Sequence, residues 1–407
     1  GFIEPWPVVG TLDVQGGIEH RTREDGTLNH FTGVAGQEIF RGDKLPPSAY
    51  GDLFIPEPVG RLIRRAKVKN ENGKKVLYNA YDQKEFMAST DLNFRPVQAQ
   101  TGPDGCLYVV DMYRGIIQES AWTRKGSKIR PVIVRKGLDK NFGKGRIYRI
   151  VHEQIEPAGK PNLLDKSADE LLDYLGHPNG WYRNTAQKLI ILKGDKSVIP
   201  SLEAMAKDNE PIWSGMIGNK DYALERIHAL WTLEGLGAIS KELIAEKFMD
   251  SDPRVRIMAI RLSDSFLKAG DKSLLSSLVL LQSDTDVNVV NQLALSMRYS
   301  ASAEATDALN VLSAKYNGHE VISRSVFESL KKDDSELQRL KNRISSRGNW
   351  DKNRILTGYD IYKQLCVTCH GANLKGVPTE NLLIAPPLIG SSRVVGDKDV
   401  LIRILLN

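Results

Sequence analysis

The sequence predicts a multidomain chain of three zones: all-β over residues 1–153, a helical repeat array over 154–346, and a short α-helical segment over 350–407. Three observations carry this. Apolar residues first recur in short runs bounded by turn residues, then at three- and four-residue spacing. A phrase of helix cap followed by helix returns through the middle zone. The last zone holds two of the three cysteines, three positions apart, with a histidine directly after the second. At 407 residues the chain exceeds one ordinary domain, and 41% hydrophobic with 26% charged residues is a globular composition.

In the first zone, Gly51-Asp52-Leu53-Phe54-Ile55-Pro56, Gly60-Arg61-Leu62-Ile63-Arg64-Arg65 and Gly102-Pro103-Asp104-Gly105 leading to Cys106-Leu107-Tyr108-Val109-Val110-Asp111 each join turn residues to β-prone residues. Gly145-Arg146-Ile147-Tyr148-Arg149-Ile150 alternates as a half-exposed strand does. Cys106, alone within an apolar strand, reads as an inert core thiol. The net charge of +6 is local in origin. From Ala121 to Ile150 there are ten Lys or Arg (124, 125, 128, 130, 135, 136, 140, 144, 146 and 149) against one acid, Asp139. That segment reads as a solvated loop with basic strand edges, or as a site for an acidic partner, lipid headgroup or anionic sugar. No reader motif accompanies the charge, so nucleic acid is not expected as a partner.

The middle zone is expected to be an α-solenoid. Asp169 to Leu175 begins the helical period, and Ile227, Leu230, Trp231, Leu233 and Leu236 continue it. His177-Pro178-Asn179, Ser251-Asp252-Pro253 and Ser283-Asp284-Thr285-Asp286 each open a helix, with Asp252 suited to cap and Pro253 to the first helical position. Asp252 and Asp284 lie 32 residues apart, a helix-pair repeat length. His228 and Trp231 share a helix face, where packing is the expected role.

A linker near Arg347-Gly348-Asn349-Trp350 precedes a helix expected over Asn353–Gln364, which runs into Cys366-Val367-Thr368-Cys369-His370. This spacing is the attachment signature of c-type haem: two thiols reach two vinyl groups, and the histidine is set under the iron. A redox dithiol or half a zinc site are the other chemistries of such a pair. No cysteine or histidine follows His370, which leaves zinc without a second ligand pair nearby, and a dithiol pair usually precedes its helix. No apolar run is long enough to cross a bilayer.

The flanks resemble class I cytochrome c, through Gly358 and Tyr362 on one helix face, His370-Gly371, Gly376, and Ala385-Pro386-Pro387-Leu388-Ile389-Gly390. The resemblance implies that Cys366 and Cys369 hold haem c, that His370 ligates the iron, and that a proline-segment carbonyl, Pro387, accepts from its imidazole. No methionine follows Met297, so the usual distal ligand is absent, and the domain is expected to be truncated, with Leu405-Leu406-Asn407 falling in mid-domain.

The order of zones resembles large secreted proteins of planctomycetes and verrucomicrobia described as membrane-bound dehydrogenases, which join a β-propeller, HEAT repeats and a C-terminal cytochrome c. The matching phrases are Tyr50 to Pro58, Asn93-Phe94-Arg95-Pro96-Val97, Gly102 to Gly115, and Gly145 to Arg149. The resemblance implies a partial β-propeller holding its last blades, a HEAT-like α-solenoid and a partial cytochrome c domain, with both ends of the chain lying inside a longer protein. It also implies oxidation of a sugar or alcohol at the propeller, with pyrroloquinoline quinone as a possible cofactor and Arg95, Asp111, Tyr113 and Arg114 as candidate catalytic residues. Arginine can hold an anionic carboxylate, and Asp111 can serve as base or metal ligand; the alternative is that Arg95 and Asp111 form a structural pair. The expected protein is a periplasmic or cell-surface dehydrogenase passing electrons through haem to an external acceptor. Its rivals are a non-enzymatic carrier with a carbohydrate- or protein-binding propeller, and a scaffold in which the solenoid dominates.

Overall fold

The computed structural model describes residues 4–8, 10, 21–117, 123–127, 129–207, 221–330, 340–371, 374–378, 383 and 385–396. Lys128 of the basic segment and Leu405 to Asn407 lie outside the described residues. The chain divides into two compact units, Gly1–Leu330 and Lys331–Asn407.

The first unit opens with two antiparallel sheets. Strands β1 (Glu38–Ile39), β2 (Leu53–Glu57), β3 (Leu62–Glu71) and β4 (Lys74–Asn79) pair in that order, and β5 (Met87–Ala88) pairs with β3. The second sheet is β6 (Pro96–Thr101), β7 (Leu107–Asp111) and β8 (Arg146–Ile150). Their inner residues, Phe40, Phe54, Ile63, Ala99, Leu107 and Val109 among them, form one core. Alternation places these side chains inward while their neighbours face out. Glu57 is fully buried because its carboxylate accepts from Thr32 N (3.0 Å), Thr32 Oγ1 (3.1 Å), Gly33 N (2.7 Å) and the amide of Gly60. Buried Arg64 pairs with Glu85, both side chains all but inaccessible.

One expectation for this zone changes, and one feature is unforeseen. The basic segment is not wholly loop: Arg130–Lys136 forms a helix, α1, because Pro131 suits a first turn and Gly137, at φ 61°, supplies the left-handed C-cap. The β3–β4 hairpin also runs far beyond its sheet. Its turn, Asn72 (φ 50°) and Gly73 (φ 82°), is the Asn-Gly pair that a two-residue hairpin of this hand requires.

Helices follow in antiparallel succession: α2 (Ala168–Leu172), α3 (Gly180–Lys193), α4 (Ile199–Lys207), α5 (Tyr222–Gly235), α6 (Lys241–Lys247), α7 (Pro253–Lys268), α8 (Leu275–Leu280), α9 (Val287–Met297), α10 (Ala303–Lys315) and α11 (Glu320–Leu330). One continuous apolar core runs from Leu163 to Val326.

The repeated caps share one device. Asp252 caps α7 through Arg254 N (2.8 Å), and its own amide donates to Asp250, which pairs with Arg226 of α5. Asp286 caps α9 through Asn288 N (2.7 Å), and its amide donates to Asp284, which binds Arg256 of α7 through two bonds of 2.7 and 2.9 Å. His177 with Asn179, and Ser300 with Ser302, repeat the x+2 geometry with other side chains. Asp252 therefore corresponds to Asp286, not to Asp284 as the spacing of turns predicts. The cap is the aspartate next to the first helical residue; the aspartate two residues earlier ties the turn to the helix two before it.

The sheets and helices of this unit are joined at both ends. Asn179 Nδ2 donates to Gly102 O and Pro103 O, and Gly180 N to Arg41 O. At the far end the hairpin meets α9 and α11: Asn70 donates to Asn288, Lys74 pairs with Glu320, and a Cβ on Gly73 would touch Val287 and Val321.

Candidate functional site

In the second unit a helix, α12 (Asn349–Ile361), begins four residues earlier than its apolar pattern predicts, with Gly348 as N-cap. Asn349 and Trp350 are therefore helical rather than linker. The helix then widens into a π turn, Tyr362–Cys366, before closing as Val367–His370. A π turn admits one extra residue per turn and so rotates the residues after it about the helix axis. Gly371, at φ 73°, ends the helix.

The loop after the histidine folds back onto it. Tyr362 Oη donates to Gly371 O (2.6 Å), and Gly376 N donates to His370 O (2.8 Å). Gly376 stands at φ 83° with Ala385 O only 2.5 Å from where a Cβ would sit, so only glycine fits. Leu388 N and Ile389 N both donate to Leu374 O (2.8 and 3.2 Å). These bonds bring the proline segment alongside the imidazole, and His370 Nδ1 lies 2.9 Å from Pro386 O. The acceptor is thus Pro386, one residue before the expected Pro387, because the Leu388 anchor sets which carbonyl meets the ring.

A carbonyl only accepts, so Nδ1 carries the proton, and in the neutral imidazole Nε2 keeps its lone pair. Both thiols are free; Cys366 is half-buried and Cys369 exposed. The donor set fits a haem: two accessible thiols three residues apart and an imidazole oriented through Nδ1 with Nε2 left to ligate. No three His, Cys, Asp or Glu among the described residues group to enclose a metal ion. Zinc needs such a group, whereas haem asks one ligand of this motif because the thiols bond to the porphyrin. A Cβ on Gly358 would touch nothing, so no helix crosses it among the described residues.

The other four candidates gather at one end of the second sheet. Arg95 is fully buried, and its guanidinium donates to Arg114 O (2.9 Å), Pro58 O (2.8 Å) and Gly115 O (2.8 Å). Asp111 is fully buried, and its Oδ1 accepts from Arg95 N (2.7 Å) and Tyr113 N (2.8 Å). Tyr113 takes the left-handed backbone (φ 47°), and the Arg146 guanidinium lies 3.5 Å from its ring centroid. A hydrogen bond to Asp91 pushes the Tyr113 phenol up. The Arg114 guanidinium lies over Phe142. The four are therefore neighbours, yet Arg95 and Asp111 Oδ1 hold main chain, while Asp111 Oδ2 is buried with no hydrogen-bond partner among the described residues.

Cys106 is fully buried, and desolvation pushes its thiol up to about 11. His228 Nδ1 bonds to Gln187 Oε1 (2.6 Å), and burial lowers the imidazole to about 4. Sequence reasoning missed the Asn-Gly turn that carries the hairpin to the helices, although the dipeptide itself was the available signal.

A family model described as a domain of unknown function (DUF7133) matches residues 5–154. The matched span takes in both sheets and ends four residues after β8. None of the curated proteins matches the chain.

Proposed function

We propose that this chain is a c-type haem electron-transfer protein, exported to the periplasm or cell surface. The observation that carries the reading is the His370 Nδ1 to Pro386 O bond directly after Cys366-x-x-Cys369, which leaves Nε2 to ligate. In this reading Cys366 and Cys369 fix the porphyrin, His370 Nε2 ligates the iron, and the Pro386 carbonyl holds the ring and raises its basicity. Tyr362 and Gly376 keep the loop closed behind the histidine. When bound, the haem supplies a one-electron couple. The C-terminal unit is read as part of a class I cytochrome c domain, the helices as HEAT-like repeats, and the two sheets as blades of a β-propeller, as in membrane-bound dehydrogenases. The test is covalent haem staining of denatured protein: the parent chain stains, Cys366→Ala with Cys369→Ala does not, and persistence of the stain in that variant would sink the reading.

One observation favours an electron carrier over a dehydrogenase whose catalytic group is Arg95 or Asp111. Both side chains are fully buried, and the Arg95 guanidinium and Asp111 Oδ1 are taken up by main chain. Asp111→Ala strands two amides and is expected to cost roughly 2–4 kcal/mol in urea unfolding. Loss of quinone- or sugar-dependent haem reduction at unchanged stability would instead support the enzyme, with an external acceptor downstream.

A further inference from the structure

We propose that one end of the second sheet docks onto an anionic lipid bilayer, independently of the haem reading. Asp111 ends β7 and is the direct partner of Arg146, which begins β8. Here two loops meet. Asn141 Nδ2 donates to Tyr113 O (2.7 Å), the Arg114 guanidinium lies 4.4 Å from the Phe142 ring centroid, and Arg146 covers Tyr113. These contacts bring Arg114, Phe142 and Arg146 into one patch, with Lys140 and Lys144 flanking the phenylalanine in the same loop. Phe142 is 60% exposed, and lysines stand two residues to either side of it.

The nearby carboxylates are partly engaged, and Asp91 and Asp111 also attract Arg146. Asp111 is buried against two amides, Asp91 faces the Tyr113 hydroxyl, and Asp139 pairs with Arg130 at 2.8 Å. Among the described residues, Arg114, Lys140, Lys144 and Arg146 make no ion pair. An exposed aromatic ring between lysines matches the interfacial arrangement in which the ring enters the acyl boundary and the ammonium groups stay among the headgroups. The centre of a protein–protein interface is depleted in lysine, whereas fluid anionic headgroups need no matched geometry. Lipid therefore fits better than an acidic protein.

The experiment is flotation of the full chain with vesicles of phosphatidylcholine, with and without phosphatidylglycerol. Binding is expected only with phosphatidylglycerol and is released by salt. Lys140→Glu with Lys144→Glu should weaken it about tenfold or more. Phe142→Ser should weaken it several-fold at unchanged charge. Absence of binding, equal binding to both vesicle types, or full retention in a folded serine variant overturns the proposal. Equal competition by soluble polyglutamate also overturns it and assigns the patch to an acidic protein.

Discussion

His370 and His228 show how one residue type is put to opposite uses. His370 is partly open, and a single carbonyl fixes its tautomer. His228 is half-buried between helices beside Gln187, and desolvation holds it near 4, against the ordinary 6.5. A histidine kept neutral in the folded state binds its proton more readily when unfolded. Its stabilising contribution is whole above about 6.5 and declines as pH falls toward 4. Urea unfolding should therefore lose up to roughly 3 kcal/mol across that window, and His228→Gln should flatten this part of the profile. The presence of His228 on a helix face is visible in the sequence. Its neutrality is not, because Gln187 approaches from another helix.

Among elements, the turns between helices carry the array. The sequence exposes the cap aspartates, since an Asp before Pro253 or Val287 acts locally, by accepting a first-turn amide. It hides the aspartates two residues earlier, which bind an arginine from the helix two before. Asp284 and Arg256 are both largely buried (7% and 13% side-chain exposure). Removing one leaves a poorly solvated charge, so Asp284→Ala should cost about 3 kcal/mol in urea unfolding. Lys74→Glu, which breaks an exposed pair with Glu320, should leave the midpoint unchanged. The haem segment obeys the same division. Cys366, Cys369 and His370 are contiguous and legible, whereas the choice of Pro386 over Pro387 depends on the distant Leu374 carbonyl.

At the scale of the molecule, the two units differ in how they are held. The first owns extensive apolar cores, one in its sheets and one through its helices, and the two parts are clasped by the β3–β4 hairpin at one end and by Asn179 at the other. In the second, no side chain of α12 or of the Tyr362–His370 segment is buried. If haem packs on that segment, its attachment should raise the second unit's unfolding temperature and leave the first unit's alone. Calorimetry of the stained protein against Cys366→Ala with Cys369→Ala checks this; a shift of the first unit's transition would count against it.

No described helix is long and apolar enough to cross a membrane, in keeping with the lack of any such run in the sequence. The sequence by itself determined everything that depends on neighbours within one turn: strand alternation, helix period, the caps and the Cys-x-x-Cys-His spacing. Only the tertiary structure decided which charges are buried against distant main chain, as with Arg95 on Pro58, and which stand open at a sheet end, as around Phe142. The reason is that a side chain's role depends on desolvation and on its partners, and both are set by chain segments far away in sequence.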